Sequence, residues 1–306
     1  MKEHIGQTKW NKNSKGVGFA ALIVCATFWG WSFFATTIVV QIVSPIEVIA
    51  VRWAIAAAIF LVLIAAGKIR INLKKPETKM LMLASFCQPF VYSLFETAGI
   101  KYTSTSESSI IISTIPCFTM ILGVLLFKRK ITPLMIASIA TAFTGVIICT
   151  VFSPAFSLGG KWYGYALLFG ATSISGIYSN LSARLSKAYS PLELTAVMAI
   201  MSGAGFQIIN LLMGNGFRCY GILFSDPAGG VSILMLGIFC SCVCYILLNV
   251  GLSRLHPAVA TNCSASISTS VGVLSGVLAA GDPFGWFIVV GLAITLTGVI
   301  MSSRVG

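Results

Sequence analysis

Apolar stretches and short polar interruptions alternate ten times along this 306-residue chain. The apolar stretches predict helices near Gly18–Val40, Glu47–Ala66, Lys79–Ala98, Thr105–Phe127, Thr132–Phe152, Trp162–Arg184, Pro191–Met213, Gly230–Leu252, Ala258–Ala280 and Phe284–Ser302. Each is about long enough to cross roughly 30 Å of hydrocarbon at about 1.5 Å per residue. Segments six to ten restate segments one to five. Ser44-Pro45-Ile46-Glu47-Val48 recurs as Ser190-Pro191-Leu192-Glu193-Leu194, a shift of 146. After a seven-residue insertion the shift becomes 153: Gln88, Tyr92 and Glu96 fall on Ser241, Tyr245 and Asn249, Gly123 on Gly276, and Gly145-Val146-Ile147 on Gly298-Val299-Ile300. Five segments per half is an odd number, so the second copy enters a membrane from the opposite side. Inverted repeats of this kind build two gates around a midplane site in many secondary transporters. The expected fold is therefore an all-α polytopic membrane protein of ten transmembrane helices: a tail at 1–16, a first repeat at 17–155 and a second at 156–306.

Composition agrees: 57% of residues are hydrophobic and only 9% charged, where a soluble domain carries nearer a quarter. The net charge of +12 invites a nucleic-acid reading, and its placement argues against one. Sixteen cations (Lys2, Lys9, Lys12, Lys15, Lys68, Arg70, Lys74, Lys75, Lys79, Lys128, Arg129, Lys130, Arg184, Lys187, Arg254 and Arg304) fall on one side of the expected topology, against Lys101, Lys161 and Arg218 on the other. Arg52 lies inside a segment. This positive-inside bias puts both termini in the cytoplasm of a plasma (bacterial inner) membrane, with some attraction to anionic lipid headgroups. The first segment is longer than a signal-peptide core and is expected to stay uncleaved. The nine cysteines read as small apolar packing residues. Cys240 and Cys244 share a helix face with Cys242 turned away, so packing is preferred over metal binding there. No cofactor is implied.

A transport site needs polar groups turned to an interior cavity, since facing lipid they are costly when unpaired. Gln88, Tyr92 and Glu96, four apart, predict a polar stripe down the third helix; Ser241, Tyr245 and Asn249 predict its counterpart on the eighth. A central cavity between helices one, three and four of one half and six, eight and nine of the other is expected. The competing reading is that these groups simply bond neighbouring helices. Glu96 is the acid in the stripe, either binding a substrate ammonium or exchanging a proton, or else pairing with Lys101 at the interface. Ser109 and Ser113, with their equivalents Asn262 and Ser266, add smaller polar groups. Glu107 is either functional or solvated at its helix end. Trp29 and Phe33 lie one turn apart and can stack on an organic substrate; Tyr178 and Asn180 are candidates from the opposite half. Arg52 either snorkels or pairs with Glu96 or Glu47. Pro116 predicts a kink in the fourth helix, and Gly272 with Gly276 a close helix contact.

These motifs resemble the drug/metabolite transporter superfamily, specifically its EamA-type exporters with two five-helix halves. Trp29-Gly30-Trp31-Ser32-Phe33 resembles the family's tryptophan–glycine motif. Ser44-Pro45 followed by Arg52 resembles its proline-to-arginine spacing, and Tyr102-Thr103-Ser104 through Pro116 to Gly145-Val146 resembles the third-to-fifth-helix pattern. Departures are Arg129, where the family has a glutamate that Asp282 retains in the second half, and Thr269 in place of the ninth-helix proline. The resemblance implies export of a small organic metabolite.

No Walker-type loop is found, so ATP hydrolysis is not expected. A phosphate-bearing substrate needs several cavity cations, and Arg52 stands alone, so amino-acid-like, amine or other zwitterionic and cationic metabolites fit better. Expected partners are this substrate and membrane lipid, not nucleic acid, with the chain a monomer or dimer. The alternatives are an integral-membrane enzyme, for which His4 and His256 offer no acid at a convincing spacing, and a receptor or scaffold, which does not require inverted duplication.

Overall fold

The computed structural model describes residues 15–304 except 104, 155, 157 and 281–283; the side chains of 33, 105, 106 and 280 also lie outside that description. Most of the expected 1–16 tail, Asp282 and the Phe33 side chain therefore fall outside the described residues. The described chain is helical, with no strand among the described residues. The first segment is Lys15–Val39 and the second Pro45–Ala65. The third comprises Thr78–Ser85, Phe86–Val91 and Tyr92–Ile100. The fourth is Thr105–Ile112 plus Ile115–Phe127, the fifth Pro133–Val151, the sixth Trp162–Leu185 and the seventh Pro191–Leu212. A short helix, Arg218–Ser225, occupies the region of the insertion. The eighth runs from Pro227–Leu234 through Met235–Val243 to Cys244–Leu252, the ninth is Pro257–Ser275 plus Gly276–Ala280, and the tenth Trp286–Ser303.

Helix starts follow local chemistry. Pro45, Pro133, Pro191, Pro227 and Pro257 open their helices, where a missing amide costs nothing and φ is already helical. The repeated Ser-Pro-x-Glu is a capping box in the second half: Glu193 N donates to Ser190 Oγ and Ser190 N to Glu193 Oε2. In the first half the Ser44 amide and hydroxyl both donate to Glu47 Oε2, at 2.9 and 2.7 Å.

Among the described residues, eight helices are long and apolar enough to cross a membrane, two fewer than the ten expected. The exceptions are the third and sixth segments, both long enough but less apolar, the third through Gln88, Tyr92 and Glu96 and the sixth through its Ser, Thr and Asn residues. The third breaks at Gln88, whose φ of −138° and ψ of 132° are extended. Pro89 is the cause: its ring excludes the α conformation from the residue before it. Gln88 therefore leaves the helical stripe that its spacing predicts. The fourth segment breaks at Ser113–Thr114, just ahead of Pro116, as the kink expectation required. Neither proline recurs in the eighth or ninth segments, and both continue through those positions as helix.

The major packing is between halves. The first segment lies against the eighth and ninth, and the sixth against the third and fourth; the second pairs with the seventh and the fifth with the tenth. Exchanging the two halves leaves this map unchanged, as a duplicated fold requires. Missing side chains permit the closest approaches. A Cβ on Gly30 would lie 2.4 Å from Val271 Cβ on the ninth segment. On the fifth–tenth pair, a Cβ on Gly145 would meet the Gly291 carbonyl at 2.5 Å, and one on its equivalent Gly298 the Ala142 amide at 2.4 Å. The largest apolar core gathers Trp53, Phe60, Tyr178, Phe206 and Met198 from the second, sixth and seventh segments.

Candidate functional site

Eight residues from four segments converge at the middle of the bundle. Tyr245, on the eighth segment, meets Trp29 of the first and Trp53 of the second edge-on, with ring centroids 5.5 and 5.3 Å apart. Trp29 is held by its indole Nε1, which donates to the Cys240 carbonyl at 3.2 Å. The broken third segment brings the Gln88 amide to the Tyr245 hydroxyl, and Gln88 Oε1 is buried without a partner among the described residues. One turn beyond the break, Tyr92 donates its hydroxyl to Glu96 Oε1 at 2.8 Å. Both side chains lie deep in protein yet keep some accessible surface.

Arg52 joins the cluster from the second segment. Its Nε donates to Ser241 Oγ in the other half at 2.5 Å, and its guanidinium carbon lies 5.9 Å from the Trp53 ring centroid. Arg52 and Glu96 are near enough to interact electrostatically, but among the described residues they form no ion pair, so neither expected carboxylate partner is taken. Glu47 is instead committed to its cap. Arg52 Nη donors and Glu96 Oε2 thus remain free of protein partners among the described residues. The cluster holds one cation, one anion, an amide oxygen unpaired among the described residues and four aromatic side chains, Trp29, Trp53, Tyr92 and Tyr245. Such a set can bind a small organic molecule through both charges and stacking.

Other predicted residues lie elsewhere. Asn249 is saturated: its Oδ1 accepts the Tyr178 and Ser182 hydroxyls at 2.6 Å each, and its Nδ2 donates to Thr195 Oγ1 at 3.0 Å. Asn249 and Tyr178 therefore tie the sixth, seventh and eighth segments together next to the central cluster. Asn262 donates to Ser302 Oγ at 2.7 Å, and Ser302 donates to Ser138 Oγ at 2.9 Å. With Ser266 Oγ donating to Asn262 Oδ1 at 3.4 Å, this chain of hydroxyls faces the fifth and tenth segments. Ser113 donates to its own helix at the Ile110 carbonyl; Ser109 is half-buried on the same piece.

Glu107 is neither solvated nor in the central cluster. It is buried and accepts from the Gly159 and Gly160 amides, at 3.0 and 3.1 Å, and from the Tyr165 hydroxyl at 2.6 Å. With Lys161 N donating to the Tyr102 carbonyl at 2.8 Å, it clasps the fifth–sixth loop to the third–fourth loop. Beside this clasp is an open cavity of about 540 Å³ lined by Lys101, Tyr102 and Lys161 among others.

A family model described as the EamA-like transporter family matches residues 16–151 and again 162–304. The chain belongs to the EamA-like transporter family. It is 24% identical over 298 residues to the "Uncharacterized transporter YcxC" of Bacillus subtilis (strain 168), covering 95% of this chain and 94% of that protein. An "Uncharacterized transporter" of Archaeoglobus fulgidus is 27% identical over 283 residues, covering 92% and 97%. A solved crystal structure matches with a TM-score of 0.76 at 16% identity over 94% of each chain, a likeness of fold alone. Family membership and these relatives mark a multi-pass membrane transporter rather than an enzyme.

At Arg129, where the EamA resemblance leads one to expect a glutamate, the guanidinium Nε donates to Asn180 Oδ1 at 2.8 Å. Asn180 in turn donates to the Thr119 and Gly176 carbonyls. Arg129 thus makes a contact between the halves, with the cation as donor. Trp53 is the central residue that sequence reasoning missed, although it adjoins Arg52 and is a large aromatic inside an apolar segment. Ser182 and Thr195 were also missed; isolated hydroxyls among many gave no signal.

Proposed function

We propose that this EamA-family protein is a secondary transporter that exports a small zwitterionic or cationic organic metabolite, amino-acid-like or amine, across the plasma membrane by alternating access. The observation that carries this reading is the pairing of unspent charges at the centre. Glu96 offers a free carboxylate oxygen to an ammonium group, and Arg52 offers guanidinium donors to a carboxylate. Trp29, Trp53 and Tyr245 supply an apolar and aromatic wall, and Gln88 an orienting amide. Asn249 and Tyr178 act behind that wall by holding it.

In this reading all ten segments cross the membrane as two inverted repeats, 17–155 and 156–306, with both termini in the cytoplasm. The third and sixth segments cross despite their breaks and polarity because they pack against one another and bond within protein. Support comes from the loops: the 68–77 connection meets the turn after the sixth segment where Lys75 donates to the Ala188 carbonyl and Tyr189 to the Asn72 carbonyl, and the inverted topology assigns both to the same side. The test is a melting-temperature screen of metabolites against the purified protein, followed by flux in sealed proteoliposomes. Ligands that bind the folded state raise its apparent stability. Zwitterions or amines are the expected hits; stabilisation confined to anionic phosphate esters would reject this substrate class.

A further inference from the structure

We propose that a cavity at the cation-rich end of the seam between the halves binds the phosphodiester headgroup of a net-anionic membrane lipid. The cavity has a volume of about 310 Å³ and is lined by Glu77, Met80, Arg184, Lys187 and Ala188. One wall is the start of the third segment, where Thr78–Ser85 begins; the other is the last turn of the sixth segment and the turn that follows.

These walls are fixed by bonds between the halves. Lys75 Nζ donates to the Ala188 carbonyl at 2.5 Å and sits 4.4 Å from the centre of the Tyr189 ring. Tyr189 is 2% exposed. Its hydroxyl donates to the Asn72 carbonyl at 3.1 Å and lies 2.8 Å from Thr78 Oγ1. Lys75 is therefore consumed in building the site. Arg184 and Lys187 are not: among the described residues their side chains make no hydrogen bond and no ion pair, although both line the same small cavity.

Two unpaired cations around a preformed hollow select an anion, and the planar guanidinium fork suits phosphate oxygens. The first turn of Thr78–Ser85 adds the positive end of a helix dipole. The sixth helix ends here with the opposite sign, so part of the charge of Arg184 and Lys187 offsets that dipole. Glu77, the single acid of the wall, disfavours a doubly charged phosphate and leaves a phosphodiester as the better fit. The site's depth points to lipid: it lies where transmembrane segments end, on the side where Lys68, Arg70, Lys74 and Lys79 also gather. Basic recesses between helices at that level hold headgroups.

The test uses the full-length protein in neutral detergent. Short-chain phosphatidylglycerol, short-chain phosphatidylcholine and inorganic phosphate are titrated separately, with melting temperature and bound mass by native mass spectrometry as readouts. Phosphatidylglycerol should stabilise the protein and add its mass, with phosphatidylcholine and free phosphate much weaker. R184Q/K187Q should weaken phosphatidylglycerol binding by about 25-fold, about fivefold per cation removed. E77Q should strengthen it by about fivefold, and this arm stands if the double variant fails to fold. An equal response to inorganic phosphate would reassign the site to free anions and overturn the lipid. Equal binding of phosphatidylcholine, or unchanged affinity in either variant, would overturn the site.

Discussion

Replacing Glu96 by Gln keeps the size of the side chain and its ability to accept the Tyr92 hydroxyl, while removing the charge. Oε1 is already committed to Tyr92 at 2.8 Å, so a substrate ammonium has Oε2 left to it. One charge-assisted hydrogen bond is at stake, worth about 1.5–3 kcal/mol, which is about a 10- to 150-fold loss of affinity at 25 °C. The assay is the shift in melting temperature against concentration of a metabolite found by screening, paired with flux in proteoliposomes. Arg52→Gln separates two substrate types. Removing that cation weakens binding of a zwitterion, whose carboxylate it would hold, and strengthens binding of a simple amine. If Glu96 carries a proton instead, its Gln variant loses pH dependence while exchange persists. Wild-type affinity, rate and pH response in the Glu96 variant would refute the assignment and leave the carboxylate as a partner for Tyr92 alone.

Asn249→Ala should destabilise the protein by about 2 kcal/mol, at roughly 0.6 for each of three interhelical hydrogen bonds, as read by denaturant melts in detergent; a loss under about 0.5 kcal/mol would contradict its role as a tie. Glu107→Gln should loosen the fifth–sixth loop, raising hydrogen exchange at the Gly159 and Gly160 amides. Burial, helped by the neighbouring Arg129, lowers His256 from 6.5 to about 4. Between those values the unfolded chain takes up a proton that the folded one refuses, so stability should fall by about 1–2 kcal/mol as pH drops from 6.5 to 4, after discounting for partial exposure. His256→Asn should flatten that part of the melting profile. A cysteine at the exposed Leu158 should react with an impermeant thiol reagent from outside the cell; labelling only from the cytoplasm would reverse the orientation.

Features that depend on neighbours along the chain are legible in the residues themselves. The break ahead of Pro116 follows from local sterics and is found where the residue places it. The prolines and the Ser-Pro-x-Glu caps that start helices carry the same kind of local signal, and read as such they move the expected starts at Glu47, Gly230 and Ala258 back to Pro45, Pro227 and Pro257. Pro89 carries the same kind of signal, but the four-residue spacing from Gln88 to Tyr92 and Glu96 masks its effect. Local rules leave open which polar group meets which. Arg52 finds Ser241 across 189 positions, and Asn249 finds three partners on two other segments. No periodicity encodes those distances. Glu107 shows the same limit: its place at a helix end suggests solvent, while the returning loop buries it.

The exchange of contacts between halves bears on how the protein is made. In the first half, the first, second and fifth segments take their extensive helix partners from the second half, which is synthesised later. Arg52 meets Ser241, Gly145 meets Gly291, and Trp29 meets Tyr245 only after nearly the whole chain has left the ribosome. Until then Arg52, Gln88 and Glu96 lack a finished interior, and unpaired polar groups in hydrocarbon are costly. The nascent first half must therefore be sheltered from lipid during insertion, by the translocation machinery or by water held among its helices. Each repeat is a unit of sequence; the unit of folding is the pair.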